Sequence, residues 1–251
     1  MTAPISLQAL WDAPITTPQP PFTPDRVASL PRGVQLYFNR AIAPNTPLAA
    51  KVRLQMHGEI KLNNQWYPFF AEQVIQPSRG MIWQARTKMA GGIPVKGSDR
   101  ILDGAGAMGW RLFGLIPVMS ASGADISHSG AGRLAAELVW LPSALCREDI
   151  TWQAHNPHHL QAQFNLQGYP IHLNLHIDDT GQLKTVHLKR WGDTGNGDFR
   201  EAEFGGIAEA ETTFDGYTIP TRLRIGWYFG TPRFESEGEF FRVTVDDAEF
   251  V

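Results

Sequence analysis

Residues 52–89 read VRLQMHGEIKLNNQWYPFFAEQVIQPSRGMIWQARTKM. In the first eleven positions Val52, Leu54, Met56, Ile60 and Leu62 alternate with Arg53, Gln55, His57, Glu59 and Lys61. That period of two turns one face of a strand to a core and the other to water. Asn63-Asn64 makes a turn, and residues 66–75 return as a strand that is apolar on both faces. Ser78-Arg79-Gly80 turns again, and residues 81–89 follow with Trp83 in their middle. Consecutive strands joined by tight turns pair antiparallel.

The punctuation continues outward from this stretch. Gly91-Gly92 leads into a run through Leu102, and residues 110–119 read as one further strand. After residue 150, strands follow at 150–154, 160–166, 169–177, 183–191, 201–214, 217–229 and 237–250. Pro220 places the start of the 217–229 strand at a sheet edge. A single long helix interrupts the series, with Ser127 and Ser129 as caps ahead of a run from Arg133 to Pro142. Leu134, Leu138 and Leu141 form its apolar stripe, and Arg133, Glu137 and Trp140 form the adjacent one.

At the other end, Pro4, Pro14, Pro18, Pro20, Pro21 and Pro24 crowd the first residues. Proline at that density opposes both helix and central strand, so residues 1–23 read as an extended arm that Trp11 and Phe22 anchor. Thr23-Pro24 starts a short helix to Leu30, and Pro31 starts a second through about Ala41. The expected fold is α+β, mostly β. A large curved antiparallel sheet of about ten strands, a half-barrel, wraps a central helix behind a short N-terminal helical pair, with residues 24–251 as one domain.

The chain has 251 residues, 43% hydrophobic and 19% charged, which excludes wholesale disorder and is enough to build a full core. Lys and Arg number 22 against 25 Asp and Glu, so no basic field exists to hold nucleic acid or an anionic membrane. The one cysteine forms no internal disulfide and no Cys-rich zinc site, which suits a reducing compartment. The first 21 residues lack a cationic segment followed by an apolar one, and no stretch approaches about 18 uncharged apolar residues. The expectation is a cytoplasmic bacterial chain with no integral membrane segment and no cofactor; its oligomeric state is left open.

Several residues carry the look of chemistry. Gly104, Gly106 and Gly109 match GxGxxG, but Gly114 and Pro117 follow where a nucleotide-binding helix would have to open, so a glycine-rich turn is the reading. Six of the eight histidines lie between 155 and 187. A two-residue Gln167-Gly168 loop sets His159 opposite His176, and a four-residue loop at 178–181 would set His172 opposite His187. His159, His172, His176 and His187 are thus candidate metal ligands, against the reading of a solvated polar sheet face that no carboxylate joins. Ser127, His128 and Ser129 lack the surroundings of a nucleophile elbow. Cys146 beside Arg147 has no resolving partner. The oxygen-rich stretch 193–198 with Glu201 fails EF-hand spacing.

Six blocks occur in order: Leu30-Pro31-x-x-Val34-Gln-x-Tyr37-Phe38, Trp66-x-Pro68-Phe69-x-Ala71-x-Gln73, Trp83-x-Ala85-Arg86, Pro94-Val95-x-Gly97-x-Asp99, Arg111-Leu112-x-Gly114 and Arg133-Leu-x-Ala-Glu137-x-x-Trp140-x-Pro142-x-Ala144-Leu145. Over about residues 30 to 250 the chain resembles an uncharacterised bacterial domain-of-unknown-function family, which brings no known activity. The strand-and-turn pattern through Asp215-Gly216-Tyr-x-Ile219-Pro220 is similar, more loosely, to LolA/LolB-like lipoprotein-carrier half-barrels. That second resemblance implies a cavity for acyl chains between a curved sheet and inner helices. The chain departs from the carriers in having neither an export signal nor a lipobox cysteine.

The functional expectation is a concave, aromatic-lined cavity that binds a hydrophobic or amphipathic, lipid-like small molecule. Trp83, Arg86, Arg111, Arg133, Glu137 and Trp140 are its candidate lining, the arginines pairing with a carboxylate or phosphate head. Two alternatives accompany it. One is an enzyme in which Glu137, with Arg133, works as acid or base in that cavity; the other is a non-catalytic interaction module whose arm docks a partner.

Overall fold

The structure is a computed structural model that describes residues 5–15, 20–195 and 197–251. Its first six strands, β1 (Val52–Leu62), β2 (Gln65–Gln76), β3 (Gly80–Met89), β4 (Ile93–Leu102), β5 (Ala105–Leu112) and β6 (Ile116–Ser122), form a meander. A second meander comprises β7 (Thr151–Ala154), β8 (His159–Leu166), β9 (Tyr169–Ile177), β10 (Leu183–Asp193), β11 (Phe199–Phe214), β12 (Tyr217–Trp227) and β13 (Glu239–Phe250). Pairing of β1 with β13 joins the two into one antiparallel sheet whose edges are β6 and β7. Thirteen twisted strands are too many to lie flat, so the sheet curls.

Helix α1 (Leu7–Trp11), helix α2 (Arg32–Ala41) and helix α3 (Ala124–Glu137) complete the fold, together with short 3₁₀ turns. Helix α3 connects the meanders by crossing the concave face, where it touches β4, β5 and β6 from one half and β9 and β10 from the other. Leu134, Leu138 and Leu141 are fully buried there, as their stripe requires. Helix α2 packs on β7, β8 and β12 and buries Val34, Tyr37 and Phe38. Tyr217 fastens this end: its hydroxyl donates to Pro47 O (2.6 Å) and accepts from the Ala49 N–H (2.7 Å).

Five details differ from the sequence expectation. The N-terminal arm contains α1, capped by Ser6 Oγ, which accepts from the Ala9 N–H; Leu7 and Leu10 pack on Val74 and Ile82 of the outer face. Phe22 is fully buried and Trp11 half-buried, whereas Pro4 and Pro18 lie outside the described residues. Residues 110–119 are not one strand: Phe113 and Gly114 both take positive φ and fold them into the β5–β6 hairpin. Helix α3 starts at Ala124, so Ser127 lies inside it instead of capping it. Pro220 lies in an interior strand, but the ladder to β13 begins only at Arg222, so at Pro220 the strand pairs with β11 alone. Finally, His159 does pair with His176, but a bulge after Leu183 sets His187 opposite Asn174, not His172.

Candidate functional site

The concave face carries a buried network of charge. Asp99 on β4 lies opposite Trp83 of β3, and α3 delivers Arg133 and Glu137 above them, one helical turn apart. Arg133 Nη1 donates to Asp99 Oδ2 (2.9 Å) and Nε to Glu137 Oε1 (2.7 Å), while the guanidinium lies 5.0 Å over the Trp83 ring. Gln73 Nε2 donates to the other Glu137 oxygen (2.6 Å), and Trp110 Nε1 to Asp99 Oδ1 (3.1 Å). Burial works against the Arg133 charge, but Glu137 and Asp99 outweigh it and raise its pKa. Both oxygens of each carboxylate are thus taken by the fold's own donors. Arg190 of β10 completes the row, stacked over Phe204 (4.5 Å) and Trp227 (5.2 Å) with Nε donating to Ser129 O. Burial and the neighbouring Arg133 push its pKa down to about 9.

Trp140 is not part of this cluster. The α-helix ends at Glu137, and Trp140 belongs to the short 3₁₀ turn Leu138–Trp140 that follows it. Its Nε1 donates to Pro220 O (2.9 Å), and the side chain is core. Arg86 and Arg111 have the wrong parity for the concave side. They stand on the outer face, where Arg86 pairs with Lys96 across β3–β4 and Lys96 with Arg111 across β4–β5.

That outer face holds a groove of about 750 Å³ beside Phe70, floored by Ala71, Ala85 and Gly97. Arg86, Lys96 and Arg111 line it in register, and none of them has a carboxylate partner among the described residues. The carboxylates on its rim are already engaged, Glu72 by Arg53 and Asp246 by His57. Phe70 is 58% exposed, with the Arg86 guanidinium 5.4 Å over its ring. Lys96 and Phe70 were not among the sequence candidates. The register of the Gly91-Gly92 and Asp103-Gly104 turns carries the signal for Lys96, because it fixes which side chains of three adjacent strands lie in line.

The histidines gather on the outer face of the other half-sheet. His159 lies between His155 (ring centroids 4.9 Å), His187 (6.0 Å) and His176 (6.4 Å), whereas His172 is exposed and pairs with Gln163. Among the described residues no three His, Cys, Asp or Glu side chains come together as a metal site. The GxGxxG glycines are packing and turn residues: Gly104 turns β4 into β5, and Gly106 lets α3 lie on β5, its N–H donating to Ser127 Oγ (2.8 Å). Cys146 is buried, and burial raises its pKa.

The chain belongs to DUF6920, a family of unknown function, whose model matches residues 28–250. No curated protein matches it. Among solved structures it is similar to a LolA superfamily protein from Nitrosomonas europaea, at 9% identity and a TM-score of 0.43 over 87% of this chain and 92% of that one. It is also similar to a DUF1329 family protein from Desulfovibrio piger, at 9% identity and a TM-score of 0.35 over 87% and 90% of the two chains.

Proposed function

We propose that this DUF6920 chain binds an amphipathic anion, a lipid-like molecule with a carboxylate or phosphate head, in the outer-face groove. The observation that carries this reading is the convergence of Arg86, Lys96 and Arg111, without carboxylate partners, on a groove that Phe70 makes partly apolar. Its volume of about 750 Å³ falls in the range of small-molecule sites. A head group bonded to two guanidinium groups and an ammonium satisfies charges that the fold leaves open. Phe70 and the backbone of Gly97 and Gly109 offer apolar contact to a chain attached to that head.

The concave face, where the sequence led us to expect the ligand, is instead crossed by α3 and tied by the Arg133–Asp99–Glu137 network. Dodecyl phosphate, dodecanoate and uncharged dodecanol, titrated in turn and read by native mass spectrometry and calorimetry, test the proposal. Binding of the two anions and not the alcohol is expected, weakened about tenfold by Arg86→Gln or Arg111→Gln. An unliganded mass with all three, or affinities that ignore both substitutions, would refute it.

A further inference from the structure

We infer that the β5–β6 hairpin is a docking element for an anionic lipid bilayer. Phe113, Leu115, Ile116, Val118 and Met119 are 60%, 77%, 57%, 51% and 52% exposed, and together they make a continuous apolar tip. Ile93, at the start of β4, adds to it through the bond from the Phe113 N–H to Pro94 O (2.9 Å). An edge strand with six of its seven residues exposed and such side chains is a surface that needs a partner.

Charge identifies the partner. Between residues 84 and 120 the chain carries Arg86, Lys88, Lys96, Arg100 and Arg111, all on the outer face of β3, β4 and β5. The two acids of that stretch are neutralised elsewhere: Asp99 points inward to Arg133, and Asp103 pairs with Arg79 at the opposite end of the strands. Four of the cations, Arg86, Lys88, Lys96 and Arg111, stand on the half of those strands nearer the apolar tip, in a chain whose net charge is −3. An apolar tip flanked by lysine and arginine is what interfacial insertion into an anionic membrane demands. A second copy pairing edge to edge fits less well, because Pro117 removes a ladder donor and the bulge between Trp110 and Arg111 bends the edge.

The inference shares Arg86, Lys96 and Arg111 with the groove, but the apolar Leu115 and Ile116 do not line the groove, so variants there test the two readings separately. The test is co-sedimentation of the full chain with vesicles of phosphatidylcholine alone and of phosphatidylcholine with about one-third phosphatidylserine. The expected result is binding to the anionic vesicles only, and release by salt as the Debye length shrinks. Leu115→Ser with Ile116→Ser should lower that binding about tenfold or more while leaving dodecyl phosphate binding unchanged. Val118→Ser with Met119→Ser is the second pair if the first does not fold. Equal binding to both vesicle types, or retention undiminished in the folded hairpin variants, would overturn the inference. A dimer that the hairpin variants dissociate, without vesicle binding, would assign the surface to a second copy and overturn it as well.

Discussion

Arg133 on helix α3 and Asp99 on strand β4 are joined by a 2.9 Å Nη1–Oδ2 bond, so one guanidinium ties the helix on the concave face to the sheet. Its Nε simultaneously holds Glu137, which Gln73 of β2 anchors from the other side. The side chains of Arg133, Asp99 and Glu137 are only 18%, 19% and 12% exposed.

Removing the centre of such a network leaves two poorly solvated carboxylates without the cation bonded to them. Arg133→Met should therefore destabilise the fold by about 3 to 5 kcal/mol, which in a chain of this size lowers Tm on the order of 10 °C. Glu137→Gln keeps an acceptor for Arg133 and leaves the Asp99 pair intact, so its loss should be about 1 kcal/mol. Urea unfolding of the two variants checks the order; a larger loss for Glu137→Gln would place the centre of the network elsewhere.

The GxGxxG glycines make a second test, because they do different things. A Cβ on Gly106 would meet the carbonyl oxygen of Ile126 at 2.6 Å, within the backbone of α3, while one on Gly109 would meet nothing within 4 Å. Gly106→Ala should push α3 off β5 and cost about 1 to 3 kcal/mol. Gly109→Ala should change stability by no more than about 0.5 kcal/mol. Equal midpoints in denaturant would contradict the close helix–strand contact.

How far the sequence carried is visible in the same residues. The alternation in β1 and the apolar stripe of α3 gave the curved sheet and its inner helix, since both depend on periodicity alone. The hairpin at Phe113-Gly114 was hidden, because Leu112, Phe113, Leu115, Ile116 and Val118 look like a buried strand when burial cannot be observed. From sequence alone, Arg86, Arg111 and Arg133 all belong to the lining of one concave cavity. Their separation onto two faces required a strand register that composition does not encode. Trp140 leaves the cluster because the α-helix stops at Glu137 and the indole bonds to Pro220 O instead, an end point that the apolar stripe running on to Leu141 conceals.

Phe70 separates stability from binding in the groove. At 58% exposure on the outer face it supports little of the core, so Phe70→Ala should shift the unfolding free energy by no more than about 0.5 kcal/mol. It is also the aromatic surface beneath the Arg86 guanidinium, and its loss should weaken dodecyl phosphate binding several-fold, about 1 kcal/mol. Calorimetric titration beside a thermal melt tells the two effects apart. An unchanged Kd would remove Phe70 from the site.

His187 makes stability depend on acid. Burial first, then the neighbouring His159 and His176, hold its pKa below the ordinary 6.5; its ring stacks on Phe229, and its buried Nδ1 has no partner among the described residues. A histidine depressed in the folded state binds its proton first in the unfolded chain, so protonation favours unfolding. Its contribution is fully present above the unfolded-state pKa of about 6.5 and is lost as the pH falls through that value toward the folded-state one. Midpoints of urea unfolding, followed from roughly pH 8 to roughly pH 5, should therefore decline on the acid side. His187→Phe preserves the stack and deletes the titrating group, so its curve should be flatter over that window. His159→Asn removes the larger of the two repelling neighbours and should move the His187 titration up toward its ordinary value, visible in imidazole proton shifts. A slope identical in the wild-type and His187→Phe chains would assign the acid sensitivity to other groups.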